Sequence, residues 1–306
     1  MARPYTLMTD RTRLAASAYL AFIALGVIWG SNFVFMKWAS EWITSSQVAL
    51  LRVGFGFLPI LIVGLVTRSL HWSHLRHLHH FVVMALLATV IYYVAFAQGT
   101  ALLLSSLAGM LSGAIPLFTF VAAWLFLRSE PLNPRSIGGT LLGFFGILLI
   151  ASPWGMSVNE VSPAGVGYMV LGSASVGLSF VYARRFVSPL GLPPLALATY
   201  QTGLALLVLL LGVDLGGVST LFDHPRAAWA MAVGLGLLGT GVAYVLYYFI
   251  VDRLGAVVAS GVTYLPPVVA LMIGVLLVGE PVRALDLVAM VAILAGVGLL
   301  QSGRRQ

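Results

Sequence analysis

Ten apolar stretches, each close to the length of a membrane crossing, follow one another along this chain with only short connections between them. They cover residues 15–38, 47–67, 81–102, 105–127, 135–152, 164–184, 193–212, 228–251, 256–279 and 284–302. An α-helix needs roughly 20 residues to cross the hydrocarbon core of a bilayer. Lipid offers no hydrogen bonds, so a spanning backbone must satisfy its own N–H and C=O groups, which a helix does. Composition agrees. Of 306 residues, 60% are hydrophobic and 8% charged, and the mean hydropathy is +1.02. Soluble domains carry about 25% charged residues, and a soluble core of this size could not hide so much apolar surface.

The sequence has no cysteine, which excludes disulfide frameworks and thiolate metal sites. The formal charge of +7 is dispersed between apolar segments, without the basic run that a nucleic-acid surface requires. The basic N-terminal segment MARPYTLMTDRTR precedes an apolar run from Leu14 to Met36. That run exceeds a signal-peptide core of roughly 7–15 residues, and it is read as the first span.

Loop charges orient the bundle. With ten spans the two termini share a side. Arg3, Arg11, Arg13, Arg68, Arg76, Arg128, Arg135, Arg184, Arg185, Arg253, Arg304 and Arg305 fall on it. The opposite side holds Arg226 and Arg283, with Lys37 at the end of the first span, and most of the acids: Glu41, Glu160, Asp214, Asp223, Glu280 and Asp286. The positive-inside rule places both termini in the cytoplasm. The histidine-rich loop from His71 to His80 is then cytoplasmic too, and reads as a solvated loop.

The chain also resembles itself. SLAGMLSGAIPLFTFVAAWLFLRSEP lies without a gap over AVVASGVTYLPPVVALMIGVLLVGEP at an offset of 150, pairing Pro116 with Pro266 and Glu130-Pro131 with Glu280-Pro281. Gly146 and Gly296 keep that offset. ALLRVG (49–54) lies over ATYQTG (198–203), pairing Arg52 with Gln201, and Trp29 to Val34 lies over Val176 to Val181, pairing Asn32 with Ser179. Such collinearity marks a repeat: residues 1–152 and 153–306, five spans each. An odd number of spans inverts the second half. The expected fold is therefore all-α and integral to the membrane, with ten transmembrane helices in two inverted five-helix repeats around a central cavity. Secondary transporters are built this way, because a site between inverted halves can open to either side.

WGSNFVFMK in the first span, a lone Arg in the second, and the paired helix ends LRSEP and LVGEP make the chain resemble the EamA-type transporters of the drug/metabolite transporter superfamily. The resemblance spans essentially the whole chain, and within the family it is nearest to a bacterial amino-acid exporter. It implies a carrier of the bacterial inner membrane that exports amino acids or related metabolites.

Polar groups within spans are costly unless they meet water, a partner or a substrate. Trp29 and Asn32 lie one turn apart in the first span. The Asn32 amide both donates and accepts, which suits a zwitterion, or it joins two helices. Arg52 lies roughly 7–8 Å into the second span by helix rise. Two roles are open to it: binding a substrate carboxylate, or bracing the bundle. Lys37, at a span end, is expected to snorkel outward.

Tyr92, Tyr93, Phe96 and Gln98 lie along the third span. Tyr244, Tyr247 and Tyr248 lie along its counterpart, the eighth. Rings on these two helices either line a cavity or form an interfacial belt, and the cavity reading suits Tyr92 and Tyr244. Ser179, Tyr182 and Tyr264 are weaker lining candidates. Pro116, Pro266 and Pro267 are mid-span kinks, hinge or static. Gly26/Gly30, Gly109/Gly113 and Gly139/Gly143 have the spacing of close helix contacts.

No carboxylate lies at mid-membrane depth, which favours facilitated diffusion or exchange over proton antiport. HExxH, GxSxG and the P-loop pattern are absent, and the one GxGxxG, Gly234–Gly239, sits in a span with no strand before it. An intramembrane lipid-modifying enzyme would need a nucleophile, base or metal cluster at one depth, and none is visible. The sequence calls for no cofactor and no metal. Its expected partners are a small solute such as an amino acid and the membrane lipid, not nucleic acid, and a monomer is compatible with it.

Overall fold

The computed structural model describes residues 5–127, 133–151, 161–254 and 261–304. Glu130-Pro131, Trp154 and Glu160 lie outside the described residues, as does the side chain of Tyr248. Every regular element among the described residues is helical. We number the membrane helices α1 (Tyr5–Ser40, apolar from Ser17), α2 (Ser45–Val66), α3 (Trp72–Leu102), α4 (Ser105–Leu127), α5 (Pro134–Ala151), α6 (Pro163–Leu190), α7 (Pro194–Gly212), α8 (Pro225–Tyr247) and α9 (Gly261–Val278). Each is long and apolar enough to cross a membrane. The tenth, α10 (Ala284–Arg304), is apolar over Ala284–Leu300. The ten spans expected from hydropathy are thus ten helices.

Helix pairing has a regular pattern. The partnerships of α5 with α10, α4 with α9, and α2 with α7 each map onto themselves when the halves are exchanged. The other extensive contacts between the halves come as exchange-related pairs: α1 with α8 and α6 with α3, α1 with α9 and α6 with α4, α2 with α8 and α7 with α3. The main partnerships of each helix therefore cross between the halves, so neither half presents a core of its own.

Glycines make the closest approaches. A Cβ on Gly139 would meet the backbone of Gly296 and Leu300. A Cβ on Gly146 would meet the backbone of Ala289 and Ile293. Exchange at the offset of 150 converts one contact into the other. Likewise Gly30 of α1 faces Val269 of α9, and Gly177 of α6 faces Thr119 of α4. The three glycine pairs picked out by spacing all sit in helix contacts: Gly26 and Gly30 against Leu265 and Val269, Gly109 and Gly113 against Ala270 and Pro267, and Gly139 and Gly143 against Gly296 and Leu117. Without a hydrophobic driving force between helices in lipid, such close approach is a main source of association.

The helices that carry Pro116 and Pro266-Pro267 are interrupted, whereas α2 runs unbroken through Pro59. A turn at Gly113 and Ala114 precedes Pro116, which is the second residue of the segment Ile115–Leu127. Pro266 and Pro267 open the segment Leu265–Ile273, after a 3₁₀ turn at Gly261–Tyr264. At such starts proline's missing N–H leaves no bond broken. The kinks expected at these residues are therefore breaks lying just before them.

Gly139→Leu should destabilise the α5–α10 pair by roughly 1–3 kcal/mol through overpacking. A Cβ on Gly138 would meet nothing within 4 Å, and Gly138→Leu should be near neutral. Thermal unfolding of the two variants in detergent checks the difference.

Candidate functional site

The start of α2 fixes where Arg52 sits. Thr44 caps the helix: its hydroxyl accepts from the Gln47 N–H at 3.3 Å, and Gln47 Oε1 accepts from the Thr44 N–H at 3.0 Å. This reciprocal box satisfies two otherwise orphaned donors. Gln47 Nε2 also donates to the carbonyls of Asp214 and Gly216, at 2.8 and 2.9 Å, tying α2 to the α7–α8 connection. Arg52 follows five residues on, and it is 5% exposed.

Around its guanidinium gather residues of α1, α3 and α8. Arg52 Nε donates to Thr240 Oγ1 at 3.2 Å. Nη2 donates to the amide oxygen of Asn32 at 3.1 Å, in the amide orientation that also lets Asn32 donate to the Ile28 carbonyl at 3.2 Å. Nη1 meets the Met36 thioether sulfur at 4.0 Å, a weak acceptor. The guanidinium carbon lies 3.9 Å from the centre of the Tyr93 ring, within cation–π range. Among the described residues no carboxylate pairs with Arg52.

Thr240 is placed by unusual backbone. Residues Ala230–Val242 of α8 form a π-helical stretch, and Thr240 Oγ1 donates to the Leu235 carbonyl five residues back at 3.0 Å. Glycines allow the approach: a Cβ at Gly239 would overlap Asn32, and one at Gly56 would overlap Thr240. The literal GxGxxG of Gly234–Gly239 thus serves helix contact: Gly234 faces Phe35 and Gly236 faces Phe55.

The other half repeats one bond of this cluster. Gln201 Nε2 of α7 donates to Thr89 Oγ1 of α3 at 2.9 Å, both side chains being buried. Thr89 also sits in a π-helical stretch, Leu86–Ile91. Arg52 with Thr240 and Gln201 with Thr89 are repeat counterparts, alike in geometry and different in charge.

The remaining candidates divide into groups. Tyr92, Tyr93 and Phe96 form one aromatic set: Tyr92 lies 4.5 Å from Phe96 edge to face and 5.1 Å from Tyr93, and Phe96 lies 6.1 Å from Phe33 of α1. This set includes the ring beneath Arg52. Trp29 lies instead against Tyr247, at 6.1 Å, in a separate cluster between α1 and α8. Tyr244 and Gln98 are partly buried, and Tyr264 packs on the main core. Ser179 is buried but back-bonds to its own helix, at the Val176 carbonyl, at 2.7 Å. The Asn32 and Ser179 positions match in sequence but not in contacts.

Lys37 does not reach outward. Its ammonium donates to the carbonyls of Ala101 and Leu103, at 3.0 and 2.7 Å, closing the C-terminus of α3. The next helix, α4, begins at Ser105, and Glu280 closes that start: its carboxylate accepts from the Ser105 N–H (2.8 Å), the Ser105 hydroxyl (2.7 Å) and the Ser106 N–H (2.8 Å). The helix break between α3 and α4 is thus held by a cation on its carbonyls and an anion on its amides, as the helix dipole favours. Sequence reasoning missed Thr89, Thr240 and this clamp. The two threonines lie 151 apart, close to the repeat offset, and that was the available signal.

Surface hollows of about 380 and 480 Å³ lie at the two ends of the bundle. One is lined by residues such as Trp42, Gln47 and Thr220, the other by Leu125, Phe126, Leu127 and Arg185. The described residues hold no group of three or more His, Cys, Asp or Glu able to bind a metal.

These features define a helical, multi-pass membrane protein with a buried cation between its two halves. The EamA-like transporter family model matches the chain twice, over residues 16–152 and 163–301, and the chain belongs to that family. The uncharacterized inner membrane transporter YedA of Escherichia coli (strain K12) is 26% identical over 303 residues, covering 96% of this chain and 94% of that protein. The uncharacterized transporter YdfC of Bacillus subtilis (strain 168) is 25% identical over 271 residues, covering 88% of this chain and 86% of that protein. A crystal structure 20% identical in sequence shares the fold, with a TM-score of 0.55, over 95% of this chain and 98% of that one. The protein is a membrane transporter.

Burial alone would raise the Glu280 carboxyl, but hydrogen bonds from Ser106 and Ser105 outweigh it and hold the group below its ordinary value. A depressed carboxyl contributes stability above its unfolded-state value, and loses it as pH falls through the folded-state value. Acidification below the usual carboxylate range should therefore lower the melting temperature. Glu280→Gln should flatten that dependence. Glu280→Ala should cost about 1–3 kcal/mol at neutral pH, because it strands buried donors. Melting curves against pH in detergent check all three.

Proposed function

We propose that the protein is a secondary transporter of the inner membrane that exports amino acids, neutral and aromatic or otherwise amphipathic, or related small metabolites, by alternating access between two inverted five-helix halves. The observation that carries the reading is the buried Arg52–Asn32–Thr240 cluster beside the ring set of Tyr93, Tyr92 and Phe96, at the contact of α1, α2, α3 and α8. A polar centre flanked by aromatic rings matches a solute with a charged head and an apolar body. The exchange pattern of the helix contacts supports two repeats dividing near residue 152, with helices rocking or gating around the site between them. Loop charge supports cytoplasmic termini, and the name of YedA supports the inner membrane. The sequence resemblance to an amino-acid exporter supports the substrate class. The buried Arg52, with no carboxylate paired to it among the described residues, supports exchange or facilitated diffusion over proton antiport. Among the proposed lining residues, Trp29, Gln98, Ser179, Tyr244, Tyr248 and Tyr264 come after the Arg52 group, and Pro116, Pro266 and Pro267 mark where α4 and α9 bend.

Proteoliposomes loaded with a panel of amino acids, with and without a pH gradient, should show saturable, protein-dependent flux that the gradient leaves little changed. Asn32→Ala and Tyr92→Ala should each reduce that flux several-fold without loss of folded protein, and Tyr244→Ala less so. Absence of protein-dependent flux for every small polar solute would sink the transport of amino acids and metabolites alike.

A further inference from the structure

Arg52 has more charge than its structural task requires. Its bond to Thr240 links α2 to the π-helical stretch of α8. Gln201 makes the counterpart bond to Thr89, linking α7 to the π-helical stretch of α3, with a neutral amide. Bracing at this place in the fold is therefore achieved without a cation. Yet position 52 holds one, 5% exposed, among the neutral groups of Thr240, Asn32, Met36 and Tyr93. Desolvating a guanidinium is expensive, and a buried one is ordinarily paired with an anion. Here the neutral acceptors use Nε and Nη2, while Nη1 has a thioether sulfur. The guanidinium fork suits a planar, two-oxygen anion.

We propose that Arg52 is the anchor for the carboxylate of the transported solute. The carboxylate takes the face of the fork now given to the Met36 sulfur, and displaces the Asn32 amide from Nη2. Thr240 and the Tyr93 ring keep the guanidinium in place from Nε and from its flat side. The solute's apolar part then lies along Tyr92 and Phe96, which adjoin Tyr93. Asymmetry is part of the assignment: one half supplies the charge, and the other supplies Gln201 at the equivalent place. The inference rests on the transporter reading for its biological meaning, but its binding step can be tested apart from flux.

The decisive variant is Arg52→Gln, which copies the counterpart residue and so retains the bond to threonine. Purified protein is titrated with L-phenylalanine and L-leucine, with their amides, and with phenethylamine, and the thermal shift is followed. The same solutes are then used in proteoliposome counterflow. Wild-type protein should be stabilised by the two amino acids at least tenfold more tightly than by the amides or the amine. Arg52→Gln should melt close to wild type and lose that preference, and Arg52→Lys should restore part of it. Three results overturn the assignment: a preference for carboxylates that survives in Arg52→Gln, an equal loss for carboxylates and amides alike, or no discrimination by the wild type. Carboxylate-selective binding that depends on Arg52, without flux, would uphold the anchor and reject the transport reading. Flux of amino acids that is indifferent to Arg52→Gln would do the reverse.

Discussion

A polar group in lipid has no solvent to fall back on, and the structure is arranged around that constraint. Its clearest expression is the break between α3 and α4. There the helix ladder stops, and the freed carbonyls and amides need partners at once. Lys37 from α1 supplies donors and Glu280, beyond the end of α9, supplies acceptors. The two side chains are far apart in sequence and come from opposite halves. A local backbone need is thus met by tertiary structure, and the end of the bundle closes only when both halves are present.

The same constraint explains the glycines. Helices that cannot gain from hiding apolar surface associate by touching closely, and small residues permit it. The contacts of Gly139 with Gly296 and of Gly146 with Ala289 bring backbones together along the α5–α10 seam. Glycine also lets Thr240 and Asn32 reach the Arg52 cluster, through Gly56 and Gly239. Packing and site construction are here one operation.

Much of this was legible in the sequence. Apolar length gave ten helices, and offsets near 150 identified which residues would be counterparts. Arg52 stood out because a lone cation within a span needs a reason. What stayed hidden depended on helix rotation and on backbone departures from the α-form. A π-helical stretch shifts every following side chain around the axis, so the fixed 3.6-residue period could not show that Thr240 faces Arg52. Equivalence in sequence also failed to guarantee equivalence in contact: Ser179 turns to its own backbone where Asn32 crosses to another helix. Lys37 was misjudged because a long side chain near a helix end has two ways to find oxygen, water or a neighbouring carbonyl, and spacing does not choose between them.

The pairing of Arg52 with Gln201 has a consequence for how such a chain can change. Two identical halves meeting as separate subunits would carry every residue twice. A guanidinium at position 52 would then be mirrored at the other face of the same bundle, and two unpaired cations in a medium of low dielectric repel strongly. Joining the halves in one polypeptide removes the obligatory twin. One copy can keep the shape-bearing amide while the other takes on a charge, so covalent fusion here is what makes a single-charge interior attainable.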